Sequence, residues 1–188
     1  MTPTTPRDRY DLAQDVKPSG EQDAPTVDGN GQLVSIPIEG VRYVRLTSHV
    51  DHRGSLTEAV NFDNDFWDEP IVYSYCITVR PGRIKGWGMH KKQADRYFIA
   101  SGHLRVVLYD GRTKSPSFGE FGEYHLTEES RALLLIPPGV WHADQNYMQR
   151  DAVLMNFPTR PFDREDPDKY RIDPHSGVIP FDWNRLDG

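Results

Sequence analysis

Cysteine is nearly absent: Cys76 is the only one in 188 residues, so no intramolecular disulfide can form. That usage suits a reducing compartment, and a cytoplasmic location is expected. Cys76 lies in a strand-like run with no cationic neighbourhood, so it reads as a small buried apolar residue rather than a nucleophile. Basic blocks are lacking too. The formal charge is −6 with both signs dispersed along the chain, and no Arg/Lys stripe offers a groove for nucleic acid, so no such partner is expected. No apolar run approaches the roughly 20 residues of a membrane-spanning helix, which argues against a membrane partner. The first residues, Met-Thr-Pro-Thr-Thr-Pro-Arg-Asp, contain no apolar stretch, so no signal peptide is expected. There is no internal repeat.

What is present is mostly β signal. Residues 1–32 are rich in Pro, Asp, Gln, Gly and Thr and read as a mobile or loosely draped tail. Residues 33–188 read as one domain, large enough for a sizeable core. Strand candidates are Val41–Leu46, Ile71–Val79, Arg96–Ala100, Leu104–Tyr109, Tyr124–Leu126, Ala132–Ile136 and Ala152–Asn156. The Ser101-Gly102 turn between the third and fourth predicts a hairpin. Helix is sparse, with a turn or two expected at Phe62–Trp67. The segment from Pro158 is dense in Pro, Asp and Arg but ends in Val178-Ile-Pro-Phe-Asp-Trp183, apolar enough to dock on the domain. Short strands separated by turns point to an all-β sandwich or barrel.

Two segments carry the chemistry. One runs from Gly82 through Lys85-Gly86-Trp87-Gly88-Met89-His90 to Asp95; the other is Ile136-Pro-Pro-Gly139-Val-Trp-His142. Each delivers a histidine at a strand end, as a β-barrel does when it lines a pocket with alternate residues. They resemble the two signature motifs of the cupin superfamily, except that the usual His-x-His is here Gly88-Met89-His90.

Further motifs narrow the resemblance. Asp51-His-Arg53-Gly54-Ser-Leu-Thr-Glu58, Lys85-Gly86-Trp87-Gly88, Asp110-Gly-Arg112-Thr-Lys-Ser115-Pro116-Ser-Phe118-Gly119 and Ile136-Pro-Pro-Gly139-Val-Trp-His142 occur in order. Together they resemble the dTDP-4-dehydrorhamnose 3,5-epimerase family over roughly residues 40–183. The resemblance implies a cupin jelly-roll barrel and a homodimer with exchanged N-terminal strands. It also implies epimerase or ketoisomerase chemistry on a nucleotide-linked 4-keto-6-deoxyhexose, a small-molecule substrate of deoxysugar biosynthesis. In that family a histidine paired with an aspartate removes a proton beside the ketone, a lysine holds the enolate and a tyrosine reprotonates it. Carried over, the histidine falls at Gly88, the tyrosine at Met155, the lysine at Asp95, and the aspartate near His175. The member is therefore divergent, with altered chemistry expected.

The candidate catalytic residues are His90, Asp95, His142 and His175, the last able to enter space left by Gly88 or else an exposed loop histidine. Gly88, His90, His142 and Met155 are all expected to face the barrel interior. Arg53, Glu58, Lys85 and Arg112 are candidates for gripping a nucleoside diphosphate, the alternative being solvated strand-end charges. Trp87 is a candidate for stacking on base or sugar, the alternative being core packing. His49, His52, His103 and His125 read as surface residues. No cofactor is expected; the alternative is a divalent metal on His90, Asp95 and His142 in a metal-dependent cupin enzyme. A third reading is a silent sugar-nucleotide-binding cupin.

Overall fold

The computed structural model describes residues 38–184 together with Pro25 and Gly29. The tail expected over residues 1–32 therefore lies outside the described residues apart from those two. The elements below belong to the unit Ile36–Gly188.

Among the described residues the chain forms twelve strands: β1 Arg42–Arg45, β2 Ser48–Asp51, β3 Gly54–Thr57, β4 Tyr75–Val79, β5 Arg83–Met89, β6 Asp95–Ser101, β7 His103–Asp110, β8 Phe121–Thr127, β9 Ala132–Ile136, β10 Val140–Asn146, β11 Ala152–Asn156 and β12 Tyr170–Arg171. They make two five-stranded sheets, β1-β9-β6-β11-β4 and β12-β5-β10-β7-β8, and a separate β2–β3 hairpin. This is the all-β cupin jelly roll. Among the described residues, helix is limited to a 3₁₀ turn at Asp65–Trp67, capped by Asn64, whose Oδ1 accepts from the Phe66 N–H at 2.7 Å.

Strand alternation builds the interior. Val79, Tyr97, Ile99, Leu104, Val106, Leu108, Leu134 and Leu154 are buried together between the sheets. Each such side chain contributes roughly 1.5–3 kcal/mol. The outer face of the first sheet is covered by Phe66 and Trp67 against Leu133 and Leu135. Arg96, fully buried on that face, donates to the carbonyls of Phe157, Glu69 and Pro70, which ties the segment before β4 to the sheet. The outer face of the second sheet is covered by Ile179 and Trp183 from the C-terminal segment, packed on Trp87, Val107 and Ala143. The segment from Pro158 thus docks as expected, and β12 adds to the sheet edge through Tyr170↔Met89 and Arg171↔Gly88.

Three expectations change. β6 and β7 do not pair as a hairpin: β6 lies between β9 and β11, β7 between β10 and β8. Gly102, at φ +85, turns the chain from one sheet to the other, and a Cβ there would lie 2.8 Å from the Ala152 Cα. Cys76 is exposed, not buried. Met155 does not face the interior. Leu154 and Asn156 point inward, so Met155 projects from the other face, where its Sδ meets Cys76 Sγ at 2.9 Å.

Candidate active site

A cavity of about 540 Å³ opens between the sheets, bordered by Tyr75, Lys85, Gly88, His90, Asp95, Tyr97, His142, Asp144, Lys169 and Arg171. The register delivers them. Tyr75 starts β4, Asp95 and Tyr97 alternate inward on β6, and His142 and Asp144 do the same on β10. His142 lies opposite Gly88 and Asp144 opposite Lys85, so β5 carries one extra residue between them. That bulge lets Lys85 and Gly88, three apart in sequence, border the same cavity.

Asp95 is the centre. It is 2% exposed, and its Oδ2 lies 3.4 Å from His90 Nε2 and 3.6 Å from His142 Nε2. Its Oδ1 accepts from Gln93 Nε2 at 3.1 Å. Burial works to raise its pKa, but the two histidines and Asn156 outweigh burial and keep the carboxyl ionised. His90 Nδ1 contacts the Asp168 carbonyl, which can only accept, so Nδ1 carries the hydrogen and Nε2 turns to Asp95. Burial pushes the His90 pKa down, but Asp95 and the Asp168 carbonyl push it up further, and the net shift is upward. His142 behaves oppositely: burial lowers its pKa, against the pull of Asp95, and the imidazole is neutral near pH 7.

The space over Gly88 is filled by His142. A Cβ built on Gly88 would sit 3.2 Å from His142 Nε2. His175 does not enter it. That residue is exposed on the loop after Asp173, whose Oδ1 accepts its backbone N–H, and lies outside the cavity.

Tyr75 carries no signal of function in the sequence, since it sits within an apolar run. Asn156 lies opposite it on β11 and donates from Nδ2 to its hydroxyl at 2.8 Å. Burial, then the Asp95 charge, raise the phenol pKa, so it keeps its proton. Asp144 is buried, and burial together with Asp95 push its pKa up to about 7 against the opposing pull of Lys85. Lys169 and Arg171, equally without a signal in the sequence, bring positive charge to the mouth from the β12 region. Partial desolvation, then the Arg171 charge, hold the Lys169 pKa below the ordinary lysine value.

Of the expected substrate-gripping residues, only Lys85 and Trp87 border this cavity. Trp87 is fully buried, with its ring centroid 5.2 Å from that of Trp183, so it is a packing residue. Arg112 clamps the fully buried Asp110 through Nε and Nη2, both at 2.8 Å, and donates to the Glu39 carbonyl at 2.7 Å. It folds the loop over Gly139 and does not reach the cavity. Arg53 pairs with Asp51 at the tip of the β2–β3 hairpin, and Glu58 follows that hairpin, both away from the chain's own cavity.

The family model for dTDP-4-dehydrorhamnose 3,5-epimerase matches residues 35–186. The chain belongs to that family. It is 35% identical over 147 residues to the spore coat polysaccharide biosynthesis protein SpsL of Bacillus subtilis (strain 168), covering 78% of this chain and 97% of SpsL. It is 32% identical over 148 residues to the probable low-salt glycan biosynthesis epimerase Agl13 of Haloferax volcanii, covering 78% and 95%. A crystal structure of a dTDP sugar isomerase from Desulfovibrio desulfuricans G20 superposes with a TM-score of 0.75 at 27% identity, over 82% of this chain and 97% of that one. Members of the family are sugar-nucleotide epimerases, of the isomerase class. Within the family scaffold, the position expected for a base holds Gly88 and the position expected for a lysine holds Asp95. The position counted for the tyrosine, Met155, faces away from the cavity, and the inward neighbour is Asn156.

Proposed function

We propose that the protein epimerises a nucleotide-linked 4-keto-6-deoxyhexose with His142 as base and Tyr75 as acid. The observation that carries this reading is the ionised Asp95 held between two imidazoles in the cavity. The 4-keto group acidifies the adjacent C–H bonds. Neutral His142 takes a proton there, and the Asp95 carboxylate stabilises the imidazolium that forms. His90, already paired with Asp95, keeps that carboxylate charged. The enolate develops near the cationic mouth, where Lys169 is the candidate for holding its oxygen, and Lys85 and Arg171 face the phosphates. His142 and Tyr75 come from opposite sheets, an arrangement suited to removing a proton from one face of a sugar ring and returning one to the other.

The test is incubation with a dTDP-linked 4-keto-6-deoxyhexose in deuterated water, following label and configuration at the carbons flanking the ketone. The native protein incorporates label and inverts a centre; migration of the carbonyl instead would identify a ketoisomerase. Label entering His142→Ala at the native rate would refute the assignment.

The proposed assembly is a homodimer, supported by the projecting β2–β3 hairpin. Val50 is 76% exposed on it and Leu56 60%, and β4 is a sheet edge that a partner strand would satisfy. In this arrangement Arg53 and Glu58 serve the partner's cavity. The proposed location is the cytoplasm, on the strength of the single free cysteine. Among the described residues, no helix is long and apolar enough to cross a membrane.

The proton-transfer scheme needs no cofactor. A second reading rests on ligand atoms of His90, Asp95 and His142 lying within 4.8 Å of one another. The donor set of two imidazoles and a carboxylate fits a divalent ion, and the Asp168 carbonyl on His90 Nδ1 is the kind of outer partner that orients a ligating histidine. Such an ion would polarise the keto oxygen. Metal analysis of active protein, with and without chelator, separates the readings.

A further inference from the structure

We propose that His103, His125 and Tyr147 form a second ligand site, one that takes a divalent transition-metal ion such as Zn²⁺ or Cu²⁺. The three residues come from the start of β7, the middle of β8 and the residue following β10. None borders the catalytic cavity. His103 Nε2 lies 3.2 Å from His125 Nδ1, and the Tyr147 hydroxyl lies 3.1 Å from the first and 3.3 Å from the second.

Without an ion, two hydrogen bonds can join the three atoms, His103 Nε2–H to the Tyr147 oxygen and Tyr147 O–H to His125 Nδ1. The same three atoms converge on one point, so an ion placed there would replace those two hydrogen bonds with three metal–ligand bonds. The dimensions agree: donors about 2.0–2.1 Å from a tetrahedral zinc lie roughly 3.3–3.4 Å from one another. The triangle's edges are within a few tenths of an ångström of that, so binding requires little rearrangement.

The surroundings favour neutral imidazole, the form that binds metal. Desolvation lowers the His103 pKa, helped by His125 and opposed by Glu129; desolvation lowers that of His125, opposed by Glu123 and helped by Arg105. His125 is exposed, which leaves access for the ion and for a water as a fourth ligand. The two imidazole nitrogens, donors of borderline softness, favour zinc or copper over magnesium or calcium, and the phenol adds one oxygen donor. Bound metal would cross-link β7, β8 and the end of β10.

The experiment is titration of chelator-treated protein with Cu²⁺, followed by electron paramagnetic resonance and visible absorption, and with Zn²⁺ by calorimetry. The expected result is one equivalent bound with two-nitrogen hyperfine structure, lost at least tenfold in affinity in both His103→Ala and His125→Ala. Tyr147→Phe loses any phenolate-to-copper charge-transfer band. His90→Ala reports separately on ions in the catalytic cavity and leaves this equivalent in place. Far-UV circular dichroism checks that each variant is folded, and epimerisation by His125→Ala remains at the native rate. No uptake at tens of micromolar metal, or uptake unchanged in both His103→Ala and His125→Ala, overturns the assignment.

Discussion

Asn156 fixes the direction of the Tyr75 hydroxyl. Its Oδ1 accepts from the Arg96 backbone N–H at 3.1 Å, so its amide NH₂ must point the other way, where Nδ2 donates to the Tyr75 oxygen at 2.8 Å. With that oxygen already accepting a hydrogen bond, the phenolic proton is left to point elsewhere, and the cavity is what Tyr75 borders. Tyr75→Phe should therefore still exchange solvent deuterium beside the ketone but invert configuration roughly 10²–10⁴-fold more slowly, the range for loss of a positioned acid. Proton NMR of the product reads both quantities. Loss of exchange and inversion together would make Tyr75 structural.

The histidine assignments predict a pH profile. A base acts when neutral, so activity is present above its pKa and is lost as pH falls through it. Because burial lowers the His142 pKa, the acidic limb of kcat/KM should lie below the ordinary imidazole value of about 6.5. Asp95 pulls that pKa upward. Asp95→Asn should thus move the limb to still lower pH while reducing the plateau, since the imidazolium formed in the reaction loses its counter-charge. If His90 were the base, its raised pKa would place the limb above 6.5, and Asp95→Asn would again move it downward. The position of the native limb separates the two.

Much of this layout is legible in the sequence because it follows strand periodicity. β6, β7, β9 and β11 are apolar runs closed by turns, and the segments around His90 and His142 announce a shared pocket. Other features depend on contacts between distant strands. Tyr75 becomes functional through its register with Asn156, which neither segment reveals alone. Lys169 and Arg171 matter because β12 adds to β5, and their Pro- and Asp-rich surroundings read as a tail. Counting thirteen residues from His142 reaches Met155, yet the pleat turns that position outward. His175 looked suited to the gap over Gly88, but His142 already fills it.

Arg112 is a stability residue. Burial favours the neutral form of Asp110, but the Arg112 guanidinium and the Ser115 and Ser117 hydroxyls outweigh it and hold the carboxyl well below the ordinary range. A depressed folded-state pKa contributes stability that is present above the unfolded value near 3.9 and is lost as pH falls through the folded one. Arg112→Ala leaves the buried carboxylate without its cation and should cost about 3 kcal/mol in denaturant unfolding at pH 7. KM should stay unchanged. A raised KM at native stability would return Arg112 to the substrate-binding set.

The hairpin prediction concerns assembly. Val50→Asp with Leu56→Asp places two charges on the exposed apolar positions of β2 and β3. Light scattering should show the native protein as a dimer and the double variant shifted toward monomer. A monomeric native protein at micromolar concentration would remove the partner role proposed for Arg53 and Glu58.

The Gly88 prediction runs against simple restoration of the family residue. Were Gly88 a vacancy left by a lost base, Gly88→His would recover activity. A Cβ there would lie 3.2 Å from His142 Nε2, tighter than ordinary van der Waals contact, and His142 borders the buried Asp95. Even Gly88→Ala must therefore displace the His142 ring by a few tenths of an ångström, and an imidazole at this position must displace it further. Proton transfer is sensitive to such shifts because the base must stand within hydrogen-bond reach of the proton it takes, about 2.6–3.2 Å. Gly88→Ala should lower the exchange rate with little change in thermal stability, and Gly88→His should lower it more. Gly88→His combined with His142→Ala relieves the crowding, places an imidazole on β5 instead of β10, and should recover part of the exchange that His142→Ala loses. Faster exchange in Gly88→His alone than in the native protein would mean that His142 is not the base and that the position on β5 is where the reaction needs one.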